Sequence, residues 1–242
     1  MKLVWSPETA LKSYIDTVKL KSVSNFQPQP QCEKFKESGV AELLSSMAAG
    51  WNAKFIVECY SYGGPIAASI GLAVAARNTG ARHVCIVPDE NTRLHYTKAL
   101  AEMGVSPPPE IVRGEAETVI KSLDGLDFLV VDCRLRDFAR VLKVAKVSTR
   151  GAVLACKNAW QRSNLSWFKW NMVLERGTRV VRSVFLPVGM GLDIAYIGSR
   201  NGGGGGGGAS SSGGSSKNAP SRWIKCIDQQ SGEEHLYRES SF

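Results

Sequence analysis

The sequence predicts a doubly wound α/β fold, on three observations. Short apolar segments alternate with helical stretches between Phe55 and Asn158. The clearest of them (residues 55–59, 84–87, 128–131 and 152–156) are apolar but for Glu58, and each is broken at its carboxyl end by Gly, Pro or Asp or a polar turn. A strand with one wet face alternates apolar and polar residues, so strands without alternation belong to a parallel sheet covered by helices on both faces. Such sheets take their ligands in the crevice at the carboxyl ends of the strands. The residues of interest are therefore 58–64, 88–90, 114–117, 132–134, and Lys157 with Asn158.

The elements follow in order. Ser6-Pro7 starts a helix as N-cap and first-turn residue, and Leu11, Ile15 and Val18, with Ala10 and Tyr14 beside them, predict an amphipathic covering face. Residues 24–36, with Pro28 and Pro30, read as a loop, and residues 40–49 as a second amphipathic helix ended by Gly50. After the first strand, residues 65–76 form a helix of small side chains that lets its backbone come close to the sheet. Residues 91–103 form the next helix, closed by Gly104 and three prolines. A short strand at Ile111-Val112 follows, with helices at 115–122 and 137–147. Residues 179–185 and 192–197 pair as an antiparallel hairpin. Residues 202–216 are almost wholly Gly and Ser, which predicts a flexible linker reaching about 20 Å on average. Beyond it, residues 222–227 and 235–238 flank Ser231-Gly232 as a terminal hairpin. The implied organisation is a helical cover (1–50), a Rossmann-like domain (51–200), a linker (201–216) and a hairpin segment (217–242).

Formal net charge is +8 over 242 residues. The segment 217–242 holds Lys217, Arg222, Lys225 and Arg238 against Asp228, Glu233, Glu234 and Glu239, so the excess lies on the body. A basic body admits anionic partners without fixing fold or reaction. For the stripe Arg136, Arg140 and Lys143 a solvated face outweighs a nucleic-acid surface. Cys59, Cys85, Cys133 and Cys156 lie in or at the end of apolar strands, Cys32 and Cys226 in polar segments, and no C-x-x-C pair occurs. This disfavours structural zinc and suits a reducing compartment. With no signal-peptide pattern and no strongly apolar run of about 20 residues, a cytoplasmic protein without a membrane span is expected. A homodimer is compatible with the sequence.

At the first strand end, Glu58-Cys-Tyr-Ser-Tyr-Gly63-Gly64-Pro65 lacks the G-x-G-x-x-G spacing of a pyrophosphate-binding turn, which disfavours nicotinamide and flavin cofactors. A carboxylate beside a glycine turn suits instead a ligand with an amino group or sugar hydroxyls.

Five segments in order resemble class I S-adenosylmethionine-dependent methyltransferases, above all the catechol and caffeoyl-CoA O-methyltransferases. They are Ile56-Val-Glu58-Cys-Tyr-Ser-Tyr62-Gly-Gly64, Gly114-Glu-Ala-Glu117, Asp127-Phe-Leu-Val-Val-Asp132, Ala155-Cys-Lys157-Asn158-Ala-Trp160 and, at the final hairpin, Leu186-Pro-Val-Gly189-Met-Gly191. The whole chain resembles a plant family known as a domain of unknown function, DUF1442, within that superfamily. The resemblance implies a Rossmann-like sheet of the class I methyltransferase type with a C-terminal antiparallel hairpin. It implies S-adenosylmethionine held by Glu58, Tyr62, Gly64, Asp89, Glu90, Gly114, Glu117 and Asp132, and a small-molecule acceptor.

The departures carry equal weight. Tyr60 replaces a loop glycine, and Val87 replaces an acid that grips ribose, with Asp89 and Glu90 following. Where relatives hold a divalent cation with two aspartates and an asparagine, Asp132 and Asn158 match but Lys157 replaces the second aspartate. An ammonium repels a cation there, so no metal is expected and Lys157 is expected to pair with Asp132. Leu135 stands where relatives keep a catalytic lysine, and Arg134 replaces another acid. With Asp132, Lys157 and Asn158 as the candidate catalytic residues, these changes imply either an anionic acceptor held by Arg134 and Lys157, or a catalytically silent Rossmann-like binding or regulatory module. Asp132 with Lys157 also reads as a purely structural ion pair. Trp160, Trp167 and Trp170 read as core or as a substrate lid.

Overall fold

The computed structural model describes residues 5–23, 39–162, 168–199, 223–227 and 234–238. The chain divides into two compact units, Met1–Asn201 and Gly202–Phe242. In chain order the first unit holds α1 (Pro7–Val23), α2 (Val40–Gly50), β1 (Phe55–Cys59), α3 (Ala67–Thr79), β2 (Arg82–Val87), α4 (Glu90–Glu102), β3 (Glu110–Arg113), α5 (Ala116–Lys121) and β4 (Asp124–Leu126). β5 (Phe128–Asp132), α6 (Phe138–Val144), β6 (Lys146–Val147), β7 (Ala152–Lys157), a 3-10 turn (Ala159–Arg162), α7 (Trp170–Val173), β8 (Val180–Leu186) and β9 (Leu192–Ile197) complete it.

Seven strands form one sheet in the order β3-β2-β1-β5-β7-β9-β8. The first five are parallel, and β9 runs antiparallel to both β7 and β8. The doubly wound sheet and its closing hairpin are thus as the sequence predicts. The order reverses between β1 and β5, which places a topological switch point, and its crevice, at Cys59 and Asp132. Every residue of β5 and β7 is buried, which is why neither strand alternates.

Helices cover both faces. Val57, Leu129, Val131, Leu154 and Cys156 pack on one side with Ile120, Phe138, Val141 and Leu142. Ile56, Phe128, Val130, Val153 and Ala155 pack on the other with Leu44, Ala48, Ala68 and Leu72. At the amino ends of the strands, buried Asp127 joins three of them. Its carboxylate accepts the amides of Lys54 (2.6 Å) and Phe55 (3.2 Å) and the Arg150 guanidinium (2.9 Å to each oxygen), and Arg150 also reaches the Asn52 carbonyl at 2.8 Å.

Helix α1 corrects the sequence-based expectation. Leu11, Tyr14, Ile15 and Val18 face outward, 41–61% exposed, while Ala10, Ser13 and Thr17 are buried. Hydroxyls decide the choice: Ser13 Oγ lies 2.8 Å from Ser45 Oγ, and Thr17 donates to the Ser13 carbonyl (2.8 Å) and to Ser45 Oγ (2.9 Å). Both stripes have helical spacing, but only the short-chain one matches the hydroxyl presented by α2.

Other differences are local. Helix α6 ends at Val144 rather than continuing through Val147, because Ala145 turns extended and Lys146–Val147 pairs with β4, a strand the sequence did not announce. Helix α3 starts two residues later and runs to Thr79, where Gly80 adopts φ 64° as a left-handed cap. In the second unit β10 (Trp223–Ile227) and β11 (Glu234–Arg238) pair antiparallel from Trp223↔Arg238 to Ile227↔Glu234. The expected loop at 24–36, the linker at 201–216, the turn at Ser231-Gly232, Cys32 and Trp167 lie outside the described residues. Among the described residues no helix is long and apolar enough to cross a membrane.

A β-carbon built on Gly71 of α3 would lie 2.3 Å from the Ala41 carbonyl oxygen of α2. Backbone cannot yield as a side chain does, so Gly71→Ala is expected to destabilise the protein by about 2 kcal/mol or more, read as a lowered melting temperature.

Candidate functional site

Asp132 ends β5 at the switch point, and its carboxylate is fully buried. Oδ1 accepts from the Arg134 amide (2.9 Å) and Asn158 Nδ2 (2.9 Å); Oδ2 accepts from Ser61 Oγ (2.7 Å) and Arg134 Nη2 (2.7 Å), with Arg134 Nε shared between them at 3.2 and 3.1 Å. The Lys157 ammonium is 3.9 Å from Oδ2, an ion pair without a hydrogen bond. The expected pairing of Lys157 with Asp132 is thus present as a 3.9 Å ion pair, and Arg134, at 2.7 Å, adds a closer partner for the same carboxylate. Asn158 is held at φ 57°, a left-handed geometry that asparagine tolerates better than most residues. That geometry aims its amide back at Asp132.

Glu58 does not stand open to the crevice as the sequence suggested. It is 1% exposed and points between α3 and α4, where Tyr96 Oη donates to Oε1 at 2.5 Å and Ser69 Oγ to Oε2 at 2.9 Å, with His83 Nε2 3.6 Å from Oε1. Ser69, His83 and Tyr96 were not singled out from the sequence. The available signal was the buried stripe Thr92, Tyr96 and Leu100 on α4, in which one hydroxyl faces the sheet. Burial raises the Glu58 pKa, but His83, Lys157 and Tyr96 together hold it below the usual range.

The loop after β1 carries the rim. The Tyr60 ring, 2% exposed, meets Tyr96 edge-on at 4.8 Å between centroids and bonds the Gly64 carbonyl through its hydroxyl. It fills space beneath the loop rather than above it. Tyr62 is 70% exposed. Gly63 has φ 67°, and a β-carbon on Gly64 would lie 2.9 Å from the Ser61 carbonyl and 3.0 Å from Arg134 Nη2.

The remaining predicted residues end the neighbouring strands. Asp89 caps α4, accepting the Thr92 amide at 2.7 Å. Glu90 is paired with Arg93 and Arg113, and Glu117 with Lys121 and Arg140. Gly114 has φ 151° and bonds the Val87 carbonyl at 2.9 Å. Trp170 is core, donating to Asp193 at 2.9 Å, whereas Trp160 is half exposed and stacks on Phe185.

The donor set does not suit a divalent cation. Both Asp132 oxygens already accept from a guanidinium, and among the described residues no three of His, Cys, Asp and Glu gather into a possible metal site. What the rim offers is an exposed aromatic, a glycine turn and a charge-satisfied carboxylate.

Burial raises the pKa of Asp132, yet hydrogen bonds from Arg134, the Lys157 charge and the Asn158 amide bring it to about 2. A carboxyl depressed on folding contributes stability above its ordinary pKa near 4, and loses it as pH falls through about 2. Urea unfolding of Asp132→Asn is expected to show a loss of about 2 kcal/mol at neutral pH, with a flatter dependence between pH 4 and 2 than the native chain. Burial likewise pushes the Cys59 thiol to about 12 and the Cys85 thiol well above its ordinary value. Thiol titration at pH 8 is expected to reach Cys59 and Cys85 only on unfolding.

Residues 1–239 match the family described as Protein of unknown function (DUF1442). No curated protein matches the chain. Among solved structures, a methyltransferase from Geobacter sulfurreducens is 22% identical with a TM-score of 0.53, over 78% of this chain and 97% of that one. An SAH-bound methyltransferase from Podospora anserina is 17% identical with a TM-score of 0.52, over 81% and 90%. The O-methyltransferase TomG from Streptomyces achromogenes, in complex with SAM, is 20% identical with a TM-score of 0.52, over 81% and 92%. At such identities the likeness establishes the fold, a Rossmann-like sheet of the class I methyltransferase type. With nearly its full length matched, the chain belongs to the family Protein of unknown function (DUF1442).

Proposed function

We propose that the protein is an S-adenosylmethionine-dependent methyltransferase acting on a small-molecule acceptor without a metal ion. One observation carries this: the strand order reverses between β1 and β5, and the glycine turn and the buried Asp132 meet there. The fold shared with SAH-bound and SAM-bound methyltransferases supports it. S-adenosylmethionine would supply an electrophilic methyl group.

The chain's part is binding and alignment. Tyr62, exposed beside Gly63 and Gly64, would cover an adenosyl or methionyl moiety; Asp89, Glu90, Gly114 and Glu117 stand on the side of β2 and β3, where a nucleoside would extend. Glu58 acts from beneath, fixing α3 and α4 against the loop through Ser69 and Tyr96. The Tyr60 ring lies under the loop, so the replacement of a glycine there leaves the rim itself open to a ligand.

Calorimetry with S-adenosylhomocysteine tests the reading. The wild-type chain is expected to bind. Tyr62→Ala should weaken binding about tenfold with an unchanged melting temperature, since an exposed ring contributes little to the core. Absence of binding at millimolar ligand would remove the reading.

A further inference from the structure

We propose that Lys157 receives the carboxylate of the methyl acceptor, and that Arg134 does not. This rests on the methyltransferase reading above.

Lys157 carries an unmet requirement. The Lys157 side chain is 3% exposed, and its Nζ finds no hydrogen-bond acceptor among the described residues. An ammonium carries three donors, and burying them unmade costs more than their net gain when made. The nearby carboxylates are already committed. Asp132 has about four lone-pair directions, and Ser61, Asn158 and Arg134, through its amide and guanidinium, take them. Glu58 takes Tyr96, Ser69 and the nearby His83. The Tyr60 ring, 6.0 Å from Nζ, answers the charge but accepts no strong hydrogen bond. A ligand that brings an acceptor to Nζ would meet this requirement.

Position and charge say what it is. Lys157 pairs in register with Asp132 at the carboxyl end of β7, beside the switch point. A desolvated ammonium discriminates strongly in favour of an ionised oxygen over a neutral one. Arg134 is less suited to the task, because its Nε and Nη2 already bond Asp132 and Nη2 also lies 3.2 Å from Ser61 Oγ.

A carboxylate also suits the chemistry. It is ionised at neutral pH, so no base has to remove a proton, consistent with Leu135 at the position where a basic residue was sought. A carboxylate oxygen forms the new O–CH3 bond as the S–CH3 bond breaks, and the pair of that bond stays on sulfur. The products are a methyl ester and a neutral thioether; no proton moves, and one negative and one positive charge cancel. The ester no longer presents an ionised oxygen to Lys157, which favours release.

Benzoate, benzamide and phenol serve as probes, titrated calorimetrically into the full chain with S-adenosylhomocysteine. Benzoate is expected to bind, with benzamide and phenol at least about tenfold weaker, and Lys157→Met should weaken benzoate by at least about tenfold while S-adenosylhomocysteine affinity holds. No benzoate binding at millimolar concentration, equal binding of benzamide, or indifference to Lys157→Met would overturn the proposal. Should that variant not fold, the 15N resonance of the Lys157 ammonium in the wild-type chain decides: a shift on adding benzoate supports the proposal, and none overturns it. Benzoate binding without S-adenosylhomocysteine binding would instead sink the methyltransferase reading and leave Lys157 an anion receptor.

Discussion

A carboxylate cannot be buried at the centre of a sheet edge without donors, and Asp132 is buried there completely. That requirement organises the site. Ser61 is drawn in from the β1 loop, Asn158 takes a left-handed backbone to aim its amide, and Arg134 folds back two residues along the chain. Three segments distant in sequence are thereby fixed to one point. The rim is rigid because its shape follows from satisfying one group.

The same face holds a second buried carboxylate, Glu58, satisfied by α3 and α4 instead. Tyr60 sits among these groups, touching Tyr96 by its ring edge, the Gly64 carbonyl by its hydroxyl and Lys157 by its face. Tyr60 thus welds the loop to the layer below. Among the described residues of the cluster, Lys157 gains proximity to opposite charge without hydrogen bonds.

The fold was legible because unbroken apolar strands and glycine-terminated helices leave few alternatives. Strands β1, β2, β5 and β7 lie where the apolar runs stand, and their ends hold the site. Partner choice was less legible. The pairing of Asp132 with Lys157 was legible from adjacent strand ends, but nothing in the order of residues tells that Arg134, two residues on, folds back to bond the same carboxylate more closely. The outward turn of Leu11, Tyr14, Ile15 and Val18 was equally hidden, since two stripes compete on α1 and the winner is chosen by Ser45 on another helix. Short strands such as β4 and β6 exist only through each other and leave no periodic trace.

At the opposite edge of the sheet, Asp127 ties the starts of β1, β5 and β7 to Arg150. Strand alignment is therefore anchored at the end remote from chemistry, like the spine of a ring binder. Residues of the working edge, Lys157 among them, can be rewritten page by page while the binding of the volume stays intact. A lineage built this way can shed an inherited reaction, or acquire a new one, without first having to reinvent a fold.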